Sequence, residues 1–245
     1  MEELSTLTLL YCALALAAGC FVQSTVGFGM AIVAAPIIFI FEPRFVPGML
    51  TVVGLVLSLI NMWQYRRVLS FNGLGAAIIG RIPGSIIAGI MLMYISLQSL
   101  SLVLGVGVLL AVAISLLKVR IEPTTKSMFW AGFASGLMGT STSIGGPPLA
   151  LVLQHAGASK LRANLAGYFA VSCLMSLVIL AATGYFGWWH LKYSLMILPV
   201  PILTSIFAYR VQHLIKAEWL RYSLLILCSF SGVVAIWQGI SPSAV

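Results

Sequence analysis

GTSTSIGGPP, residues 139–148, interrupts a stretch that otherwise reads as lipid-soluble. Every residue in it except Ile144 is Gly, Pro, Ser or Thr. It follows the apolar run MFWAGFASGLM (Met128 to Met138), and LALVL follows it (Leu149 to Leu153). Glycine and paired prolines do not continue a helix. Backbone that leaves a helix at membrane depth must be buried in protein or line a wet cavity. A second break of the same kind, QSTVGFG (Gln23 to Gly29), lies near the start of the chain.

Composition sets the medium. Of 245 residues, 61% are hydrophobic and 7% are charged, against about 25% charged in a soluble domain. Mean hydropathy is +1.10. Such a chain cannot cover a water-facing surface and reads as an integral membrane protein. The apolar runs are continuous, which excludes the alternating pattern of a β-barrel. The net charge of +8 comes from basic residues in ones, twos and threes at the ends of apolar runs. That is the pattern of cytoplasmic loops rather than of a nucleic-acid surface. The four cysteines (Cys12, Cys20, Cys173, Cys228) lie within apolar runs without a CxxC, as small buried residues do. The start MEELSTLTLL carries two acids and no Lys or Arg, which speaks against a cleaved signal peptide.

The apolar segments run from Leu4 to Thr25, Gly29 to Phe41, Val46 to Met62, Asn72 to Tyr94 and Leu97 to Leu117. After the polar stretch KVRIEPTTK (118–126) come Met128 to Met138, Pro147 to Leu153, Ala163 to Ala182, Tyr193 to Tyr209 and Trp219 to Trp237. Each half therefore holds two pieces around a break and then three long segments. At an offset of about 118 residues Thr25 falls within a residue of Thr142, Arg44 on Arg162 and Pro83 on Pro201. The expected organisation is a first membrane repeat (1–117), a cytoplasmic linker (118–126) and a second membrane repeat (127–245).

A span needs about 20 residues, so Met128 to Met138 and Pro147 to Leu153 are each too short to cross alone. The pair is either one broken span or a hairpin. With hairpins, Arg66, Arg67, Lys118, Arg120, Lys126, Lys160, Arg162, Arg210, Lys216 and Arg221 share one side, and Arg44 and Lys192 hold the other. With single crossings the charges divide evenly. The positive-inside rule selects hairpins, makes the rich side cytoplasmic and places both termini outside. The expected fold is all-α: a polytopic membrane protein of two inverted repeats, each a broken-helix hairpin plus three transmembrane helices.

In an inverted repeat the two breaks meet near the midplane, where secondary transporters bind substrate. Pro147 and Pro148 suit a first helical turn, with Ser143 or Gly145 as its cap. A half-helix starting there directs N–H groups and its positive dipole end at the midplane. Ser141, Thr142 and Ser143 add hydroxyls, and Gly145 and Gly146 allow close approach of an oxyanion. Gln23, Ser24, Thr25, Gly27 and Gly29 offer a matching set in the first break. Close helix packing is the alternative use of such residues.

Arg81, in AAIIGRIPGSIIAG, lies near the membrane core. Such an arginine is costly and marks function by default, unless it snorkels or caps backbone freed by Pro83. Its repeat mate, near Pro199, carries no charge. His155 reads as interfacial, His190 and His213 as loop residues, and Asn61 and Asn164 as helix–helix contacts. YFGWWH (Tyr185 to His190) fits an interfacial belt. The sequence contains no Asp, and its acids (Glu2, Glu3, Glu42, Glu122, Glu218) stand at ends or in loops. This argues against a buried carboxylate proton relay, a carboxylate-based sodium site and an intramembrane aspartyl protease. HExxH and the Walker lysine motif are absent, and no catalytic residue, metal or cofactor is expected.

GFGMAIVAAPIIFIFEP (Gly27 to Pro43) and GLMGTSTSIGGPPLALVLQHAGASKLRANLAG (Gly136 to Gly167) resemble the sulfite exporter TauE/SafE family, also called the toluene sulfonate uptake permease family. The resemblance extends over nearly the whole chain. It implies a duplicated secondary transporter of the bacterial inner membrane, acting on sulfite, sulfoacetate or other organosulfonates, often as an exporter. The lipid bilayer and a small anion are then its partners, with a homodimer allowed and no nucleic acid. The residues themselves point to an anion; sulfur and export follow from the resemblance alone. A passive anion channel and a non-transporting accessory protein are the rival readings, and a membrane enzyme lacks the carboxylates it would need.

Overall fold

The computed structural model describes residues 5–116, 121–154 and 156–212, and in the C-terminal stretch residues 226, 229, 230, 232–237, 239 and 240. Every regular element among them is helical. Lys118, Arg120, His155, His213, Lys216, Arg221, Cys228 and much of the segment expected at Trp219 to Trp237 lie outside the described residues.

The chain runs as α1 (Thr6–Val26), α2 (Met30–Phe41), a 3₁₀ turn (Pro43–Phe45), α3 (Gly48–Gln64), α4 (Leu74–Tyr94) and α5 (Leu97–Leu116). It continues as α6 (Thr125–Thr142), α7 (Gly146–Leu153), α8 (Ala158–Ala182), α9 (Trp188–Ile197) and α10 (Pro199–Val211). Among these, α1, α4, α5 and α8 are long and apolar enough to cross a membrane, and α9 with α10, bent by 41°, makes a fifth if the pair is one span. The chain is a polytopic membrane protein.

Both breaks fold back as hairpins. Tyr11, early in α1, stacks on Phe41 at the end of α2, with centroids 4.8 Å apart, so α2 returns along α1. In the second break α6 and α7 share one buried cluster, with Met128 and Ala131 joining Leu149, Ala150 and Val152. α3 and α8 are antiparallel. Gly48 lies against His190, Gly54 against Cys173, and Tyr65 under Arg162. Arg44, whose guanidinium covers Trp189 at 4.6 Å, therefore sits at one end of this pair and Arg162 at the other.

The tightest pairing is α4 on α6. Two small-xxx-small steps, Gly80 to Gly84 and Gly132 to Gly136, face each other there. A Cβ at Gly80 would meet the Phe129 carbonyl, at Gly84 that of Phe133, and at Gly132 that of Ala77. Backbone-to-backbone approach of this kind is how membrane helices gain dispersion contact without a hydrophobic driving force. α10 packs on α1, and α3 on α8. At the offset of about 118 residues α4 corresponds to α9 and α10, α6 to α1, and α3 to α8, so the offset carries these helix pairs into one another.

Several expectations need correction. The breaks are shorter than the composition indicates. α1 extends to Val26 and α6 to Thr142, leaving 27–29 and 143–145 outside helices. Thr25 Oγ1 donates to the Phe21 carbonyl at 2.9 Å, Ser141 Oγ to that of Leu137 at 2.7 Å and Thr142 Oγ1 to that of Met138 at 2.8 Å. Each hydroxyl thus donates to a carbonyl one turn back in its own helix and is compatible with helical backbone there. The expected segment Tyr193 to Tyr209 is two helices, because Pro199 and Pro201 remove ladder donors. α8 begins at Ala158 rather than Ala163. His190 lies in the first turn of α9, not in a loop. Asn164 accepts the Ser70 N–H at 3.0 Å, binding a loop rather than another helix.

Candidate functional site

Between the two breaks and helices α3, α4 and α8 lies a cavity of about 50 Å³. Of the residues singled out in the sequence, Gln23, Gly29, Arg81, Ser143, Gly145 and Gly146 line it. Ser24, Thr25, Gly27, Ser141 and Thr142 do not. Ser24 is buried with its Oγ unpartnered. Gly27 ends α1 at φ 105°, with the Arg162 backbone 3.4 Å from where a Cβ would stand.

The first break brings the start of α2 to the cavity. Gly29, at φ 113°, turns the chain, and Gln23 Oε1 accepts the Met30 N–H at 3.3 Å. Met30, Ala31 and Ile32, the first turn of α2, form part of the wall. This puts the positive end of the α2 dipole at the site. The second break behaves differently. Gly145, not Ser143, precedes α7, and Pro147 and Pro148 lack N–H groups, so this helix offers fewer donors than its position implies. Prolines there spare the bilayer interior two unsatisfied donors. Ser143 instead ends α6 in the left-handed region at φ 64°. Its Oγ donates to the Pro47 carbonyl at 3.2 Å and lies 3.3 Å from Thr51 Oγ1. A non-glycine residue held at positive φ stores strain, and these contacts to α3 hold it.

Arg81 is the eighth of the 21 residues of α4 and is 3% exposed. Its Nη1 donates to the Ser135 carbonyl and Oγ, both at 3.0 Å. Its Nη2 donates to Ser176 Oγ at 2.9 Å. The guanidinium carbon lies 5.8 Å from the Tyr168 ring centroid, within cation–π range. Nε has no partner among the described residues. Among the described residues no carboxylate lies within ion-pair distance of it. Every acceptor it meets is neutral. A buried cation without a countercharge costs several kcal/mol even after relaxation, so this site favours a negative guest.

The α4–α6 contact holds Arg81 in place. At Gly136 a Cβ would stand 2.5 Å from the Arg81 carbonyl, and at Gly139 3.0 Å from Nη2. Gly136 lets the α4 backbone approach α6, and Gly139 lets the guanidinium lie close against it. Ser135 Oγ in turn donates to the Gly145 carbonyl at 2.6 Å. The arginine, α6 and the second break are thus one hydrogen-bonded unit. Ser176 Oγ also pairs with Thr140 Oγ1 at 2.8 Å.

The cavity also uses residues the sequence did not reveal. Thr51 and Ser58 of α3, and Ser172, Cys173 and Ser176 of α8, line it. Ser58 and Ser172 are 0% and 1% exposed, and their hydroxyls have no partner among the described residues. Serines in apolar helices usually serve packing, so nothing local marked these. The spacing of Ser172 and Ser176, one turn apart on α8, was the available signal.

At the Arg162 end, Nη1 of that residue and Tyr65 Oη both donate to Gln212 Oε1, at 2.5 and 2.7 Å. At the other end Arg44 is paired with Glu42 at 2.6 Å, and its carbonyl lies 3.1 Å from His190 Nε2. The two arginines related by the repeat offset therefore tie helices together at opposite ends of the molecule.

A model of the family described as Sulfite exporter TauE/SafE matches residues 11–235. Neither the curated proteins nor the solved structures compared with the chain gave a match.

Proposed function

The chain belongs to the sulfite exporter TauE/SafE family, and from that premise we propose that it is a secondary transporter that binds a small sulfur oxyanion in the cavity between its two helix breaks and exports it. The observation that carries this reading is Arg81: a guanidinium 3% exposed, bordering the cavity, with neutral hydrogen-bond partners alone. The start of α2, Gln23 and the hydroxyls of Ser58 and Ser172 complete the donor set.

Size narrows the guest. A single water needs roughly 10–15 Å³ of cavity, so a cavity of about 50 Å³ has room for a small polyatomic anion. Sulfite has one sulfur and three oxygens. The binding mode uses neutral donors with a single charge, which lets the anion leave as well as enter.

The pairing of α4 with α6, α10 with α1 and α3 with α8 supports two inverted repeats spanning 1–117 and 127–245, joined by 118–126. Arg66, Arg67, Lys160, Arg162 and Arg210 gather toward the Tyr65–Gln212 end of the α3–α8 pair, and Arg44 and Lys192 toward the other. This supports a bacterial inner-membrane orientation with the Tyr65 end cytoplasmic and both termini outside. In this reading the Arg162 and Arg44 contacts close the inner and outer faces in turn around the fixed site.

Sulfite and sulfoacetate flux in proteoliposomes tests the function. Saturable flux that responds to an imposed ion or pH gradient is the expected outcome. Flux that follows the anion gradient without coupling identifies a channel, and absence of flux for any sulfur oxyanion identifies an accessory protein. Within the same assay, Thr25→Val and Ser141→Ala keep sulfite flux within about threefold of wild type, because these hydroxyls bond their own helices. A loss beyond tenfold in either would show that the hydroxyls turn into the path during transport.

A further inference from the structure

The cavity has an unusual charge count. Among the described residues Arg81 is the one charged side chain that lines it. The other titratable groups facing the guanidinium both come from α8: Cys173 in the cavity wall and Tyr168 beside the arginine. The lining contributions of α1, α2, α3, α6 and α7 contain no Lys, His, Asp or Glu. A dianion placed here would keep one charge uncompensated in a buried site, which is strongly unfavourable. A monoanion balances the arginine.

The hydroxyls add a second constraint. The guanidinium and the backbone N–H groups at the start of α2 can only donate hydrogen bonds. Ser58 Oγ and Ser172 Oγ are buried, border the cavity and have no partner among the described residues. A serine hydroxyl both donates and accepts. The site therefore has places for the O–H of a protonated oxyanion as well as for its bare oxygens.

Resting on the reading of this cavity as the anion site, we propose that it admits its guest as a monoanion, so that a dibasic oxyanion such as sulfite binds as hydrogensulfite and carries one proton on each passage. No carboxylate of the protein takes part. The proton enters bound to the anion, and on the far side hydrogensulfite re-equilibrates with the medium, releasing sulfite and that same proton. Sulfite export is thereby linked to proton movement by the chemistry of the substrate. Permanently monovalent sulfonates use the same site without moving a proton.

Calorimetric titration of the purified protein with sulfite, methanesulfonate and sulfate, below and above the second ionisation of sulfite, tests this. Affinity for total sulfite is expected to fall about tenfold for each pH unit above that ionisation. Methanesulfonate, a monoanion throughout, binds equally across the range, and sulfate is not bound. Ser58→Ala combined with Ser172→Ala is expected to weaken sulfite about tenfold more than methanesulfonate. The proposal is overturned by sulfite affinity that is flat or rising above its second ionisation. A parallel fall for methanesulfonate, which would report a titrating protein group, or sulfate binding as tightly as methanesulfonate, overturns it too. If neither sulfite nor methanesulfonate binds at any pH, the anion-site reading itself fails, and the charge-state proposal falls with it.

Discussion

Arg81→Ala abolishes anion binding and transport while leaving the unliganded protein about as stable as wild type. The two halves of this expectation have separate causes. Sulfite loses its one countercharge in a buried site, and breaking such a pair costs about 3–5 kcal/mol, a loss of roughly 100-fold or more in affinity. The unliganded protein, by contrast, is relieved of a buried cation that no carboxylate compensates. The hydroxyls that Arg81 contacts are not orphaned by its removal. Ser135 Oγ still donates to the Gly145 carbonyl, and Ser176 Oγ still pairs with Thr140. Thermal unfolding in detergent, with and without sulfite, separates the two effects. Wild type gains stability from sulfite and the variant does not, while their unliganded transitions lie close together. Arg81→Lys keeps the charge but cannot reach Ser135 and Ser176 as one planar fork, and it retains partial binding. A variant that unfolds far below wild type without ligand, yet still transports when folded, would make Arg81 a structural link between α4, α6 and α8 and would remove the central support for the site.

Gly132→Leu separates α4 from α6 and takes the site with it. The Cβ position at Gly132 is already occupied by the Ala77 carbonyl, so backbone must move. Overpacking of this sort costs about 1–3 kcal/mol, and the upper end applies where the obstacle is backbone rather than a side-chain tip. Because Arg81 is held between Gly136 and Gly139 of α6, the same displacement disrupts its bonds to Ser135. Loss of thermal stability and loss of sulfite-dependent stabilisation are expected together. Gly75→Ala, on the partner helix α4, is the control. Nothing lies within 4 Å of its Cβ position, and alanine gains up to about 1 kcal/mol over glycine in a helix. If Gly132→Leu unfolds at the wild-type temperature, the α4–α6 contact is looser than described.

The hairpins, the breaks and the buried arginine were visible before any coordinates, because each rests on a local property. Segments too short to span require a partner, a hairpin was expected to gather ten of the twelve loop cations on one side, and a charge far from an interface stands out by hydropathy alone. The composition of the breaks misled at one point. Thr25, Ser141 and Thr142 read as break residues because hydroxyls cluster there, yet back-bonding absorbs them into α1 and α6. The glycine steps of α4 and α6 were on the page as Gly80 to Gly84 and Gly132 to Gly136, but a small-residue step does not name its partner helix.

The membrane class, the two interruptions and the charge in the core all follow from hydropathy and charge along the chain. These are summed over neighbours in sequence and need no knowledge of what lies across space. Which hydroxyls face the anion is a different kind of question. Ser135 and Ser176 stand 54 and 95 residues from the arginine they bind. Ser58 and Ser172 differ from other serines in apolar helices only in the side they present. That side is fixed by helix register and by how closely two glycine faces allow backbones to approach, and packing alone sets both.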